Sequence, residues 1–214
     1  MPATDRAKLF ARFTALAAKM GFHDAESVFN DLHARYTGPD RHYHDISHIA
    51  ASLVELDGVQ HLARDPAAIE LAIWFHDCIY DGRRLDNEER SAAVARQALK
   101  QMGADARLID SVCQLILATK HATAPATPDE QLLCDIDLVP LGASNEIFDS
   151  NGQLIRQEYS HLDDHTYTTG RAQILQGFLA RPHIFSTDTY SKRYERQARS
   201  NLSRAIKGKT NGVR

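Results

Sequence analysis

Three short stretches of the chain carry side chains of the types that bind metal ions. His48 lies in the polar run 41–49 (RHYHDISHI), His76 and Asp77 are adjacent, and two aspartates follow in the stretch DID at 135–137. Counted to the second of those aspartates, the successive gaps are 28, 1 and 60 residues. Imidazole and carboxylate together suit a divalent ion of intermediate hardness, such as Mn, Fe, Co, Ni or Zn. The chemistry predicted is therefore that of a metal centre.

The surroundings of the His76-Asp77 pair distinguish it from two other His-Asp pairs in the chain. Residues 68–81 (AIELAIWFHDCIYD) hold ten apolar residues in fourteen, including the only tryptophan. This pattern is typical of a helix buried on all sides. A carboxylate in such a place is costly unless a partner or a cation accompanies it. The alternative is a histidine at a helix end that hydrogen-bonds to nearby backbone, and this segment alone favours neither.

Helices must position these residues, because apolar residues recur at spacings of three and four and no clear alternating strand is present. Asp45 or Ser47 suits the N-cap of a helix over 46–59, which would place His48 in its first turn. The run DNEE at 86–89 has the capping-box pattern. The predicted fold is all-α, a single domain over 1–214 with about eight to ten helices and a frayed tail at 208–214. Helices are predicted at 4–20, 24–36, 46–59, 66–81, 87–102, 106–121, 145–164, 167–180 and 189–206.

Composition limits the partners and the cellular setting. The 214 residues carry a formal charge of -3, and the pI is near 6.4, so neither nucleic acid nor an anionic membrane is expected as the main partner. No apolar run approaches the length of a membrane span, and the first ten residues lack a signal-peptide core. Cys78, Cys113 and Cys134 lie in separate apolar runs without CxxC spacing and are expected to be reduced core residues. A cytoplasmic protein is predicted.

These motifs together resemble the HD-domain superfamily of metal-dependent phosphohydrolases, which combines a histidine, a later His-Asp doublet and a distal aspartate on an all-α bundle. The resemblance is closer still to a bacterial subfamily of predicted HD phosphohydrolases, and it covers roughly residues 30–205. The matching runs are RHYHDISHI, AIWFHDCIYD followed by NEERSA, TKH, DIDLVPLG and IRQEY.

The resemblance implies that His48, His76, Asp77 and Asp137 bind one divalent ion. Asp137 is preferred to Asp135 because the family's distal aspartate directly precedes a leucine-containing segment. The implied reaction is hydrolysis of a phosphomonoester or phosphodiester by a water that the metal activates, with a nucleotide as the expected substrate. The implied partner is thus a small phosphate ester, and a homo-oligomer is compatible with the sequence.

Further polar residues near these motifs are candidates for catalysis. Lys120 and His121 could contact a phosphate or a second metal, although a basic pair is also favoured at any helix C-terminus. Asp81 and Glu88 could orient water or act as a general base, although capping and solvation explain them equally well. Asp77 itself is a catalytic candidate, because it would bind the metal ion that activates the water.

Two other functions are compatible with the sequence. A non-catalytic module that binds a nucleotide or metabolite would use the same fold without turnover. A di-iron oxygenase of the same fold would need His121 and another histidine at a second metal.

Overall fold

The computed structural model describes residues 5–210, with side chains through Lys207, and this part of the chain is all-α. It contains ten α-helices, two short 3-10 turns and no strand, which confirms the predicted fold class. None of the described helices is both long and apolar enough to cross a bilayer. The helices are α1 (Arg6–Lys19), α2 (Ala25–Tyr36), α3 (Ile46–Val59), α4 (Pro66–Phe75), α5 (Asn87–Gln101), α6 (Ala106–Ala118), α7 (Pro128–Leu138), α8 (Asn145–Glu158), α9 (Asp164–Leu179) and α10 (Asp188–Thr210).

The chain divides into two compact units, one up to Leu133 and one from Cys134, with the division inside α7. In the first unit α4 packs against α3, α5 and α6, and α1 packs against α2. Every residue of α4 from Ala68 to Phe75 except Glu70 is buried, as the apolar pattern predicted. The Tyr36 hydroxyl donates a hydrogen bond to the carbonyl of Trp74 (3.1 Å), which ties α2 to the end of α4.

The second unit is built on α10, which packs against α9 and against the 3-10 turn Val139–Gly142. A β-carbon at Gly142 would lie 2.6 Å from that of Tyr194, so only glycine allows this close approach. Asn201 fixes the turn, because its side-chain amide donates to the carbonyls of Leu141 and Ala143, each at 2.9 Å.

Several predicted boundaries are wrong. The helix predicted over 66–81 ends at Phe75, and the helix predicted over 145–164 ends at Glu158. The capping box at 86–89 does not form: Asp86 makes no side-chain cap and instead pairs with Arg84. The last helix continues to Thr210, into the predicted frayed tail, and residues 211–214 lie outside the described part of the chain.

Candidate metal centre

His48 is positioned by the cap of α3. The Asp45 carboxylate accepts hydrogen bonds from the backbone N–H groups of Ser47 (2.8 Å) and His48 (3.3 Å), so Asp45 is the N-cap. His48 therefore lies in the first helical turn, as predicted, and it is 7% exposed. Because α3 begins at Ile46, His44 precedes the helix and does not share its face.

The His76-Asp77 pair lies just beyond the end of α4, where the helical run stops although the burial continues. His76 is the C-cap residue in helical conformation, and its Nδ1 lies 3.0 Å from the carbonyl oxygen of Ile73. A carbonyl only accepts, so Nδ1 carries the proton and donates. The neutral imidazole then presents the lone pair of Nε2, which is the arrangement that metal-binding histidines commonly use.

The three side chains converge on one point. His76 Nε2 lies 3.3 Å from His48 Nε2 and 3.1 Å from Asp77 Oδ2, and His48 Nε2 lies 3.8 Å from the same oxygen. A triangle with these sides has a circumradius of about 2.0 Å, which is close to the metal–ligand distances of about 2.0–2.2 Å found for imidazole and carboxylate. One ion could thus contact all three atoms with little movement of the side chains.

The electrostatics of Asp77 fit a carboxylate held in its charged form. Burial alone would raise the pKa of Asp77. When His76 is protonated, its positive charge and its hydrogen bond to the carboxylate, with smaller contributions from the charges of His44 and His48, hold the pKa of Asp77 well below its ordinary value. The side chain of Asp77 is 13% exposed, so the anion is available at neutral pH in a nearly dry site. Such a site attracts a cation.

Arg41 connects the two segments that carry the proposed ligands, a role that no sequence pattern indicated. Its Nη1 donates to the carbonyls of His44 (2.9 Å) and Asp77 (2.7 Å), and its Nη2 donates to that of Cys78 (3.0 Å). The guanidinium also lies 5.4 Å from the ring centroid of Tyr36. One side chain therefore holds the loop before α3 against the turn after α4.

An aromatic stack lies beside the centre. The His44 ring stacks on Tyr80 with centroids 3.8 Å apart, and it lies 6.2 Å from the ring of His48. Tyr43 lies 5.6 Å from the His48 ring on a tilted plane. His44 and Tyr43 thus border the centre from the polar run that contains His48.

The two aspartates of α7 have different roles. Asp135 is buried, and its carboxylate accepts hydrogen bonds from the backbone N–H groups of Ser186 (2.6 Å) and Thr187 (2.7 Å) and from the Thr187 hydroxyl (2.7 Å). Those groups immediately precede α10, so Asp135 orders the start of that helix. Asp137 is only half-buried. The structural role of Asp135 leaves Asp137 as the better ligand candidate of the two.

Two of the remaining candidates have identifiable local partners. Asp81 accepts a hydrogen bond from the backbone N–H of Arg83 (2.9 Å), as expected for a residue that stabilises a turn. Lys120 donates to the carbonyl of Leu85 (2.8 Å) and forms an ion pair with Glu89. Asp81 and Lys120 thus organise the loop between Tyr80 and α5.

His121 and Glu88 have properties that fit a reactive site. His121 adopts a left-handed backbone conformation (φ 54°), which is rare for residues other than glycine. Burial raises the pKa of the half-buried Glu88 above its ordinary value; the Asp77 charge adds to this effect and Lys120 opposes it. Glu88 therefore lies within electrostatic reach of the centre and is a candidate proton acceptor.

Comparison of the chain with protein-family models, with curated proteins and with solved structures found no match.

Proposed function

We propose that this protein is a metal-dependent phosphohydrolase of the HD type, with His48, His76 and Asp77 as ligands to a divalent ion. The observation that carries the proposal is the triangle of two imidazole nitrogens and one carboxylate oxygen, with sides of 3.1, 3.3 and 3.8 Å. A ligand set of imidazole nitrogen and carboxylate oxygen fits Mn, Fe, Co, Ni or Zn better than Mg or Ca, which prefer oxygen ligands alone.

In the proposed reaction a bound divalent ion supplies an acidified water and a Lewis acid for a phosphoryl oxygen of a phosphomonoester or phosphodiester. The chain supplies the rest. Asp77 provides the negative charge of the ligand set, and the Ile73 carbonyl fixes the orientation of His76. Glu88, with its raised pKa, is proposed to accept the proton of the attacking water.

Four further assignments rest on the resemblance and on local chemistry. Asp137 is proposed as the fourth protein ligand, since Asp135 is engaged in capping α10. Lys120 and His121 are proposed to bind the substrate phosphate, because both are basic and lie just after the C-cap residue of α6, Thr119. A nucleotide is the proposed substrate class. The cytoplasm is the proposed setting, in keeping with three buried cysteines that form no disulfide in the described part of the chain.

A phosphate-release screen tests this function. Protein stripped with a chelator and reloaded with Mn²⁺, Co²⁺ or Ni²⁺ should release phosphate from at least one of a panel of nucleotides and simple phosphate esters. Asp77→Asn should abolish release, whereas Asp31→Asn, an exposed aspartate paired with Arg35, should not change it. Absence of hydrolysis with every metal and ester would contradict the proposal.

Binding and oxygen-consumption measurements on the same protein distinguish the two rival functions. A binding module would retain a nucleotide in equilibrium dialysis without releasing phosphate, and its affinity would be insensitive to Asp77→Asn. A di-iron oxygenase would bind two iron ions per chain under anaerobic loading and consume dioxygen. We expect one ion per chain and no dioxygen consumption.

A further inference from the structure

The second unit contains a cavity of about 590 Å³ that the proposed hydrolysis does not use. One face of α8 forms one wall, through Phe148, Gly152 and Arg156, and one face of α9 forms the other, through Tyr167 and Arg171. The volume lies within the range of about 300–1,000 Å³ that is usual for small-molecule sites.

The walls of the cavity are largely apolar. Phe148 and Tyr167 are each 8% exposed, and Leu175 is 3% exposed, so rings and methyl groups are held in place by packing. Gly152 widens the cavity, because a β-carbon built there would meet no atom within 4 Å. A glycine inside a helix costs about 1 kcal/mol relative to alanine, so it is unfavourable for α8 itself. Such walls suit a ligand with an aromatic or aliphatic body.

The charges around the cavity favour an anion. Arg204 binds the Asp149 carboxylate through both terminal nitrogens at 2.8 Å, and Arg156 binds Asp164 at 2.7 Å, so these pairs are neutral. Arg171 forms no ion pair with any carboxylate in the described part of the chain. Burial raises the pKa of Tyr167, and the charge of Arg171 opposes this effect. The Arg171 guanidinium is therefore close enough to the Tyr167 side chain in the cavity wall for their charges to interact.

We propose that this cavity is a binding site for a small organic anion with an apolar, preferably aromatic, body. The body lies between Phe148 and Tyr167, and the carboxylate, sulfonate or phosphate of the ligand pairs with Arg171, since guanidinium groups bind such oxyanions well. The site belongs to the second unit alone, so the proposal does not depend on the metal centre.

Fluorescence titration of the full chain with anilinonaphthalene sulfonate, in the presence of a chelator, tests this site. The probe combines aromatic rings with one sulfonate, and we expect saturable binding of one probe per folded chain. Arg171→Gln should weaken binding at least tenfold, while Arg196→Gln, an exposed arginine of α10, should have no effect. The neutral analogue phenylnaphthylamine should bind wild type and Arg171→Gln equally.

A pair of glycine variants separates binding in the cavity from binding elsewhere. Gly152→Phe fills the space between α8 and α9 and should reduce probe affinity at least tenfold. Gly177→Phe is the matched control, because Gly177 also lies in a helix with no atom near its added β-carbon, yet does not line the cavity. Circular dichroism establishes that both variants fold.

Three outcomes would overturn the proposal. Equal probe affinity in wild type and Gly152→Phe would show that the cavity does not hold the anion. If Arg171→Gln weakened binding of the sulfonate and of its neutral analogue equally, Arg171 would not recognise the negative charge of the ligand. Loss of a dimer on Gly152→Phe, with probe binding unchanged, would identify the cavity as a surface between copies of the chain.

Discussion

The Nε2 atoms of His48 and His76 face each other at 3.3 Å, although the residues are 28 positions apart. Two imidazoles in this orientation need either a shared proton or a cation between them. The Nδ1–H group of His76 donates to the Ile73 carbonyl, so in the neutral imidazole Nε2 carries the lone pair, and this lone pair points towards His48. Asp77 contributes a negative charge to the same point, and this charge favours a divalent cation over a single proton.

The first prediction separates Asp135 from Asp137. Asp135→Asn should lower the free energy of unfolding by about 2–4 kcal/mol, because one oxygen that accepts charge-assisted hydrogen bonds before α10 becomes an amide donor. Asp137→Asn should change stability by less than about 1 kcal/mol but lower metal affinity at least tenfold. Urea denaturation and metal titration of both variants measure these effects, and the opposite pattern would assign the ligand to Asp135.

The second prediction concerns Arg41. Arg41→Lys should weaken metal binding about tenfold and lower stability by about 2 kcal/mol, because an ammonium cannot reach three carbonyls in the fixed geometry of a guanidinium. Arg35→Lys is the control, since Arg35 makes an exposed ion pair within α2 that contributes at most about 1 kcal/mol. Equal metal affinity in the two variants would show that Arg41 does not position the ligands.

The third prediction is a pH dependence of the metal-free protein. The folded pKa of Glu88 lies above the unfolded one, mainly because of burial, so the folded state binds more protons between these two values. Stability therefore falls as pH rises through this window, and the cost is fully present above it. Glu88→Gln removes this cost.

Urea denaturation of wild type and Glu88→Gln at several pH values, with a chelator present, measures the difference. The gain in stability from the substitution should be largest at pH 7, should shrink as pH falls through the raised pKa of the folded state, and should be lost by about pH 4.3, the ordinary pKa of a glutamate. A gain that grows as pH falls would contradict the predicted direction of the shift.

The fourth prediction concerns the thiols. Burial raises the pKa of Cys78 to about 11, and Cys113 and Cys134 are also buried, so all three should be unreactive in the folded protein at pH 8. We expect less than one thiol per chain to react with Ellman's reagent before denaturation and three afterwards. Rapid reaction of Cys78 in the native state would contradict its burial beside the metal centre.

Much of the fold was predictable because its signals are local. Asp45, one of two predicted N-caps of α3, accepts hydrogen bonds from the backbone there. Asp65 and Asp105 cap in the same way the helices that were predicted to begin at 66 and 106. The apolar run 68–81 correctly predicted burial but not the end of α4, since Cys78 remains buried after the helix has stopped and no glycine or proline marks the boundary.

What the sequence could not predict depends on contacts between distant residues. Arg41 contacts Asp77 and Cys78 across 36 and 37 positions, and a single arginine in a polar turn carries no pattern that indicates this. The predicted capping box failed because Arg84 pairs with the Asp86 carboxylate. Asp135 and Asp137 look alike in sequence, and only the contacts of Asp135 with the start of α10 separate them.

Metal binding to purified protein tests the central claim most directly. Equilibrium dialysis against Mn²⁺ or Co²⁺, followed by elemental analysis, should give one ion per wild-type chain and less than one tenth of an ion for His48→Gln and for His76→Gln. The matched control His61→Gln, in the exposed 3-10 turn after α3, should still bind one ion. Equal binding by wild type, His48→Gln and His76→Gln, or no binding by wild type, would contradict a metal centre at these residues.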